Sequence, residues 1–103
     1  MRTVIMCLVF GLGSLNSAIA QTDADLAKTK QCMTCHTMEK RLVGPSFQEV
    51  ASKYQGKPAS ALVSSITKGS KGKWGPVPMP ANTAVSESEA AQLATWILKQ
   101  SRP

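Results

Sequence analysis

The feature that most constrains this chain is a five-residue stretch, Cys32-Met33-Thr34-Cys35-His36. Two cysteines stand three apart, and the only histidine of the chain follows the second directly. Three chemistries use such a triplet. A redox-active dithiol needs a βαβ setting, whereas the periodicity here offers helices and loops. A structural zinc site needs four protein ligands, and a catalytic one needs three with water. Apart from Cys7, the chain has no further cysteine or histidine to complete a tetrahedron. The adjacency of Cys35 and His36 would also strain one.

The third chemistry is covalent haem attachment, the reading that C-x-x-C-H carries in its own right. Both thiols add to haem vinyl groups as thioethers, and the imidazole reaches the iron from the same side. On a helical turn Cys32 and Cys35 lie on one side, which matches two vinyls on one haem edge. The residues favour this reading over the other two.

The N-terminus bears on the compartment. Met1-Arg2-Thr3 is positively charged, an apolar run from Val4 to Phe10 follows, and small residues end in Ala18-Ile19-Ala20. That is the layout of a secretory signal with an A-x-A cleavage site. Its apolar core is shorter than the ~20 residues of a spanning helix. Residues 1–20 are therefore expected to be removed with Cys7, leaving residues 21–103 as one domain in the periplasm without stable membrane insertion. In that compartment a bare CxxC pair would tend to close as a disulfide, so the motif needs a different use.

The mature chain has 83 residues (103 minus 20) and few aromatics: Phe47, Tyr54, Trp74 and Trp96. A domain this small buries a modest share of its surface and usually needs a staple. A buried prosthetic group would serve. Eleven Lys and Arg residues against six acids give a net charge near +5, which favours acidic partner surfaces. No nucleic-acid partner is expected.

The periodicity predicts helices and loops. Asp23 to Met33 runs from acids to lysines, as a helix dipole favours, and leads into the motif. Leu42 to Phe47 is broken by Gly44-Pro45. Phe47, Val50, Ala51 and Tyr54 share helical spacing, as do Leu62, Val63 and Ile66 within a helix over 59–67 that Gly69 stops. Residues 69–82 hold three glycines and three prolines, which predicts a long loop without regular structure. Ser86 and Glu89 form a capping box ahead of Ala90, Leu93, Ala94 and Ile97, and Trp96 is expected to pack near the haem and the N-terminal helix.

A haem iron bound by His36 needs either a second ligand or an open position. With one histidine, bis-histidine ligation is excluded. Met33 and Met38 are tied to the attachment side by sequence. Met79 lies 43 residues beyond His36 (79 minus 36), between Pro78 and Pro80. Prolines fix φ and reduce the cost of holding a loop in one shape. Methionine is also a common filler of core gaps, but with haem present axial ligation by Met79 is the favoured reading.

Taken together, CMTCH, LVGPSF (42–47), KWGPVPMPAN (73–82) and LATWILKQ (93–100) resemble the small class I bacterial cytochromes c, in particular the cytochrome c-551/c-552 (c8) type of proteobacteria. The likeness runs from about Asp23 to Gln100. It implies an all-α cytochrome c fold of three to five short helices wrapped around one covalent haem c. Cys32 and Cys35 match the thioether positions, and His36 and Met79 match the axial iron ligands. Pro45 matches the proline whose carbonyl accepts the His36 Nδ1–H, a bond that orients the ring. Trp74 matches the indole that donates to a haem propionate. Asn82 matches an amide near the methionine sulfur, with Thr83 as an extra residue after it. Some relatives carry an arginine near a propionate where this chain has about Ser65, which implies either a less well neutralised propionate or help from Lys73.

The expected function is one-electron transfer, without catalysis, between respiratory redox proteins such as a cytochrome bc1 complex, a nitrite reductase, an oxidase or a dehydrogenase. The protein is expected to be a monomer. Two rival roles are an electron-accepting subunit of a periplasmic oxidoreductase and a gas sensor in which a ligand displaces Met79.

Overall fold

The computed structural model describes residues 11–13 and 21–101. The expected signal segment, with Cys7, lies almost wholly outside the described residues. Four α-helices and one 3₁₀ turn follow one another: α1 (Asp23–Thr29), the turn (Cys32–Thr34), α2 (Phe47–Lys53), α3 (Ser60–Lys68) and α4 (Glu87–Leu98). No β-strand forms among the described residues, and no helix among them is long and apolar enough to cross a membrane.

Three of the helices begin with capping boxes. Thr22 and Asp25 start α1, Ser46 and Glu49 start α2, and Ser86 and Glu89 start α4. In each, the hydroxyl accepts from the N–H three residues on and the carboxylate accepts from the cap N–H, so two orphan donors are satisfied. Of these boxes only Ser86/Glu89 is anticipated above, although S-x-x-E at Ser46 is equally legible.

Helix α4 organises the rest. Ala90, Leu93, Ala94 and Ile97 recur at i, i+3, i+4 and i+7 and are all buried. Leu93 is fully buried, a burial that contributes about 1.5–3 kcal/mol. Each of α1, α2 and α3 packs on α4, and none of the three packs on another. A cavity lined by residues of all four helices lies among them.

One expectation needs correction and another an addition. The first helix ends at Thr29 instead of running to Met33. Lys30 N–H closes back on Leu26 O at 2.9 Å, and Gln31 adopts the left-handed conformation with φ 67°. A non-glycine residue there costs on the order of 1–3 kcal/mol and persists only where its surroundings fix it. No glycine or proline marks this break. It re-aims the chain so that a new turn, closed by Cys35 and His36 N–H on Cys32 O, starts at the motif. The long loop is also not without pairing. Ser70 and Met79 form an antiparallel bridge, with N–H···O distances of 3.0 and 2.9 Å.

Candidate functional site

The cavity measures about 500 Å³, within the roughly 300–1,000 Å³ of small-molecule and cofactor sites. Phe47, Leu62, Ile66, Leu93 and Ile97 make its apolar wall. All seven residues singled out from the sequence line it: Cys32, Cys35, His36, Pro45, Trp74, Met79 and Asn82.

His36 is held from several directions. Its Nδ1 lies 2.7 Å from Pro45 O. A carbonyl only accepts, so Nδ1 carries a proton and Nε2 is the ring nitrogen left to bind a metal. Phe47 stacks on the imidazole, with centroids 5.0 Å apart and planes 20° apart. Gly44 closes in as well. A Cβ there would stand 2.7 Å from His36 Cε1 and 3.0 Å from Nδ1. The glycine of the LVGP stretch is thus required by contact with His36, a role that a reading of it as a loop breaker misses.

Cys32 and Cys35 are both half-buried. Burial pushes the Cys32 thiol up, the opposite of the lowered value that activates a redox dithiol. No group of three His, Cys, Asp or Glu side chains among the described residues is placed to hold a metal ion, which leaves the zinc reading without ligands.

Met79 enters from the loop after α3. The bridge to Ser70 fixes its backbone, and Gly69 (φ +81°) makes room: a Cβ there would lie 2.6 Å from Met79 O. Met33 and Met38 instead pack against the hydrophobic core, and neither lines the cavity.

The polar side of the rim gathers cations around Trp74. Arg41 Nη2 donates to Trp74 O at 2.5 Å, Lys53 Nζ sits 4.2 Å above the indole, and Lys53 also donates to Lys73 O at 2.8 Å. Arg41, Lys73 and Ser65 line the cavity with Trp74. The roles of Arg41 and Lys53 are invisible in sequence because each acts on a backbone carbonyl or a ring across a loop. Asn82 has partners other than the methionine sulfur: its Nδ2 donates to Lys30 O at 2.7 Å, and its Oδ1 accepts from Ala84 N–H at 3.2 Å. Trp96 meets the edge of Phe47, with centroids 5.5 Å apart, and does not line the cavity.

The donor set therefore suits a flat, largely apolar group with an iron atom and two vinyl attachments. Comparison with known proteins decides the family, for residues 23–101 match the family model described as Cytochrome c. This chain belongs to the cytochrome c family. It is 52% identical over 79 residues to cytochrome c-551 of Pseudomonas denitrificans, covering 75% of this chain and 95% of that one. It is 46% identical over 86 residues to cytochrome c-552 of Nitrosomonas europaea, covering 82% and 84%. The crystal structure of wild-type Nitrosomonas europaea cytochrome c552 superposes with a TM-score of 0.73 at 46% identity, over 75% of this chain and 98% of the other. The cofactor is accordingly one covalently attached haem c, and the chain is a small monohaem cytochrome of the electron-carrier kind with the cytochrome c fold.

Proposed function

We infer that this cytochrome is a periplasmic one-electron carrier in which Cys32 and Cys35 hold the haem and His36 and Met79 ligate its iron. One observation carries the ligand assignment. Of the methionines among the described residues, only Met79 lines the cavity that the sole histidine also lines. When bound, the haem supplies a reversible one-electron couple, and histidine–methionine ligation raises its potential.

The chain's own residues then set the conditions. Pro45 O holds the imidazole in the tautomer that leaves Nε2 free, while Gly44 and Phe47 restrict its tilt. The Ser70 bridge holds Met79 in place between two prolines. With His36 and Met79 both bound to the iron, no coordination position would remain open to a substrate, which is the reason for reading a carrier and not an enzyme. The apolar wall excludes water, so little solvent has to reorganise as charge changes. Trp74 and Lys73 line the cavity, where acidic groups of the cofactor would need donors, and Lys73 would supply a charge that Ser65 lacks.

The charge distribution supports an acidic redox partner. Asp25, Glu49 and Glu89 are spent on helix caps, and Asp23 accepts from Gln92. The described residues hold one ion pair, Lys30–Glu89, so most of the lysines face solvent without an acid. A dehydrogenase, an oxidase, a nitrite reductase or a bc1 complex with a carboxylate-rich docking face fits this chemistry. Exposure of the reduced protein to carbon monoxide at neutral pH tests the carrier reading. A carrier with Met79 on the iron keeps its spectrum, whereas prompt conversion to a carbonyl spectrum marks an open site and a ligand sensor.

A further inference from the structure

The segment that follows Met79 is tied to the segment that precedes the attachment motif by one residue, Lys30. Its ammonium donates to Ala84 O at 2.8 Å and lies 3.5 Å from the Glu89 carboxylate at the start of α4. Its own carbonyl accepts from Asn82 Nδ2 at 2.7 Å. Asn82 in turn takes the Ala84 N–H on its Oδ1 and donates its backbone N–H to Ile66 O at 2.9 Å. Lys30 therefore grips residues 82–84 through its side chain and its backbone at once. It does so as the C-cap residue of α1, two positions before Cys32. Lys30, Asn82 and Ala84 all line the cavity.

The two ends of the Met79 loop are secured differently. At the Ser70 end, two backbone hydrogen bonds hold Met79 directly. At the other end, the loop reaches the first turn of α4 only after Asn82, Thr83 and Ala84, and there the cross-links to α1 all pass through Lys30 or its carbonyl. The side chain of Lys30 is 21% exposed and that of Glu89 is 31% exposed. The ion pair alone is thus a partly solvated one of small worth. The bond to Ala84 O is charge-assisted and shorter, which makes it the stronger of the two contacts.

We propose that Lys30 is a positioning residue for Met79: by clasping Asn82 and Ala84 it keeps the methionine loop shut and sets how often the sulfur leaves the iron. The proposal rests on Met79 ligation. Lys30→Met keeps the aliphatic stem and removes the ammonium. Glu89→Gln removes the ion pair while preserving the capping box, since glutamine serves equally at that position. Gln92→Ala removes the Gln92–Asp23 bond between α4 and α1, 2.7 Å long, without touching residues 79–84. It controls for general loosening of the two helices.

The test uses the oxidised, haem-loaded proteins and potassium cyanide as the probe. Binding rates are measured at saturating cyanide, where opening of the loop is limiting, together with the far-red sulfur-to-iron band at rest. Lys30→Met is expected to speed the limiting rate about tenfold, the factor that about 1.4 kcal/mol gives, with the band retained. Lys30→Arg, which still donates to a carbonyl, is expected to return toward the wild-type rate. Glu89→Gln and Gln92→Ala are expected to stay within about twofold of wild type, the change that a few tenths of a kcal/mol gives. Should Lys30→Met yield too little holoprotein, amide exchange of Asn82 and Ala84 in Lys30→Gln reports the same opening, faster if the clasp matters. An unchanged rate in Lys30→Met, or an equal acceleration in Gln92→Ala, would overturn the clasp while the far-red band still attests Met79. Absence of that band in the wild type would overturn the ligand assignment itself.

Discussion

Replacing Gly44 with alanine puts a methyl group where the structure has no room for one. The added Cβ would stand 2.7 Å from His36 Cε1, 3.0 Å from Nδ1 and 3.3 Å from Nε2, whereas ordinary contact begins near 3.4 Å. The ring must therefore retreat by about 0.7 Å (3.4 minus 2.7). The stacked Phe47 and the 2.7 Å bond to Pro45 O limit where it can go. Gly44 is not among the glycines with positive φ, so backbone strain contributes nothing and the effect is one of contact. Overpacking costs about 1–3 kcal/mol, and loss of the Pro45 bond adds about 0.5–1.5 kcal/mol. The reduced freedom of the unfolded chain offsets about 0.4–1 kcal/mol. The net expectation is a destabilisation of roughly 0.5–4 kcal/mol, or about 4–8 °C in Tm for each kcal/mol in a domain of this size. Denaturant unfolding of the holoprotein measures the first quantity. Exchange of the His36 Nδ1 proton in the reduced state, followed by NMR, reports the bond and is expected to quicken. Gly56→Ala supplies the contrast: Gly56 has φ +80° and nothing within 4 Å of its would-be Cβ. Its cost, about 1 kcal/mol from the left-handed backbone, should leave the His36 proton untouched. A Gly44→Ala protein as stable as wild type, with the same proton exchange, would refute the reasoning.

Two further outcomes concern charge. The Thr22 hydroxyl and backbone N–H hold the Asp25 carboxyl below its ordinary 3.8, and the Ser86 backbone N–H holds Glu89 below 4.5. Such groups stabilise the folded state above their ordinary values and lose that contribution as pH falls through the lowered ones, so stability should decline below about pH 4.5. Asp25→Asn combined with Glu89→Gln should flatten that decline, and an unaltered acid limb would count against it. Electron transfer to an acidic partner should slow as salt passes ~0.1 M, where the Debye length nears 10 Å. A rate indifferent to salt would point to apolar docking.

The sequence made the site more legible than the path of the chain. CMTCH announces its chemistry because few reactions want two thiols and an imidazole so spaced, and Pro78 and Pro80 single out Met79 among the three methionines beyond residue 20. The break at Gln31 was not legible, since a glutamine in the left-handed region is imposed by tertiary contacts and has no local signal. The same holds for the Ser70–Met79 bridge, which pairs residues across a loop whose glycines and prolines argue against pairing. Gly44 is a case in between: its place in LVGP is visible, but its reason, an imidazole within contact distance, exists only once the chain is folded. Asn82 is expected beside the methionine sulfur, and the bonds of its amide to Lys30 and Ala84 are additional partners that the sequence does not name. A short polar side chain has several partners within reach, and sequence alone does not choose between them.

The central claim, that Met79 and His36 share the iron of an electron carrier, meets its most direct test in the oxidised spectrum and potential of three variants. Met79→Ala should lose the far-red sulfur-to-iron band, show a lowered potential and bind cyanide freely, because a thioether favours the reduced iron more than water does. Met33→Ala and Met38→Ala, which alter residues packed in the core outside the cavity, should keep the band and the potential. A Met79→Ala protein with band and potential intact would contradict the account and leave the sixth ligand to another side chain of the cavity, Lys73 foremost.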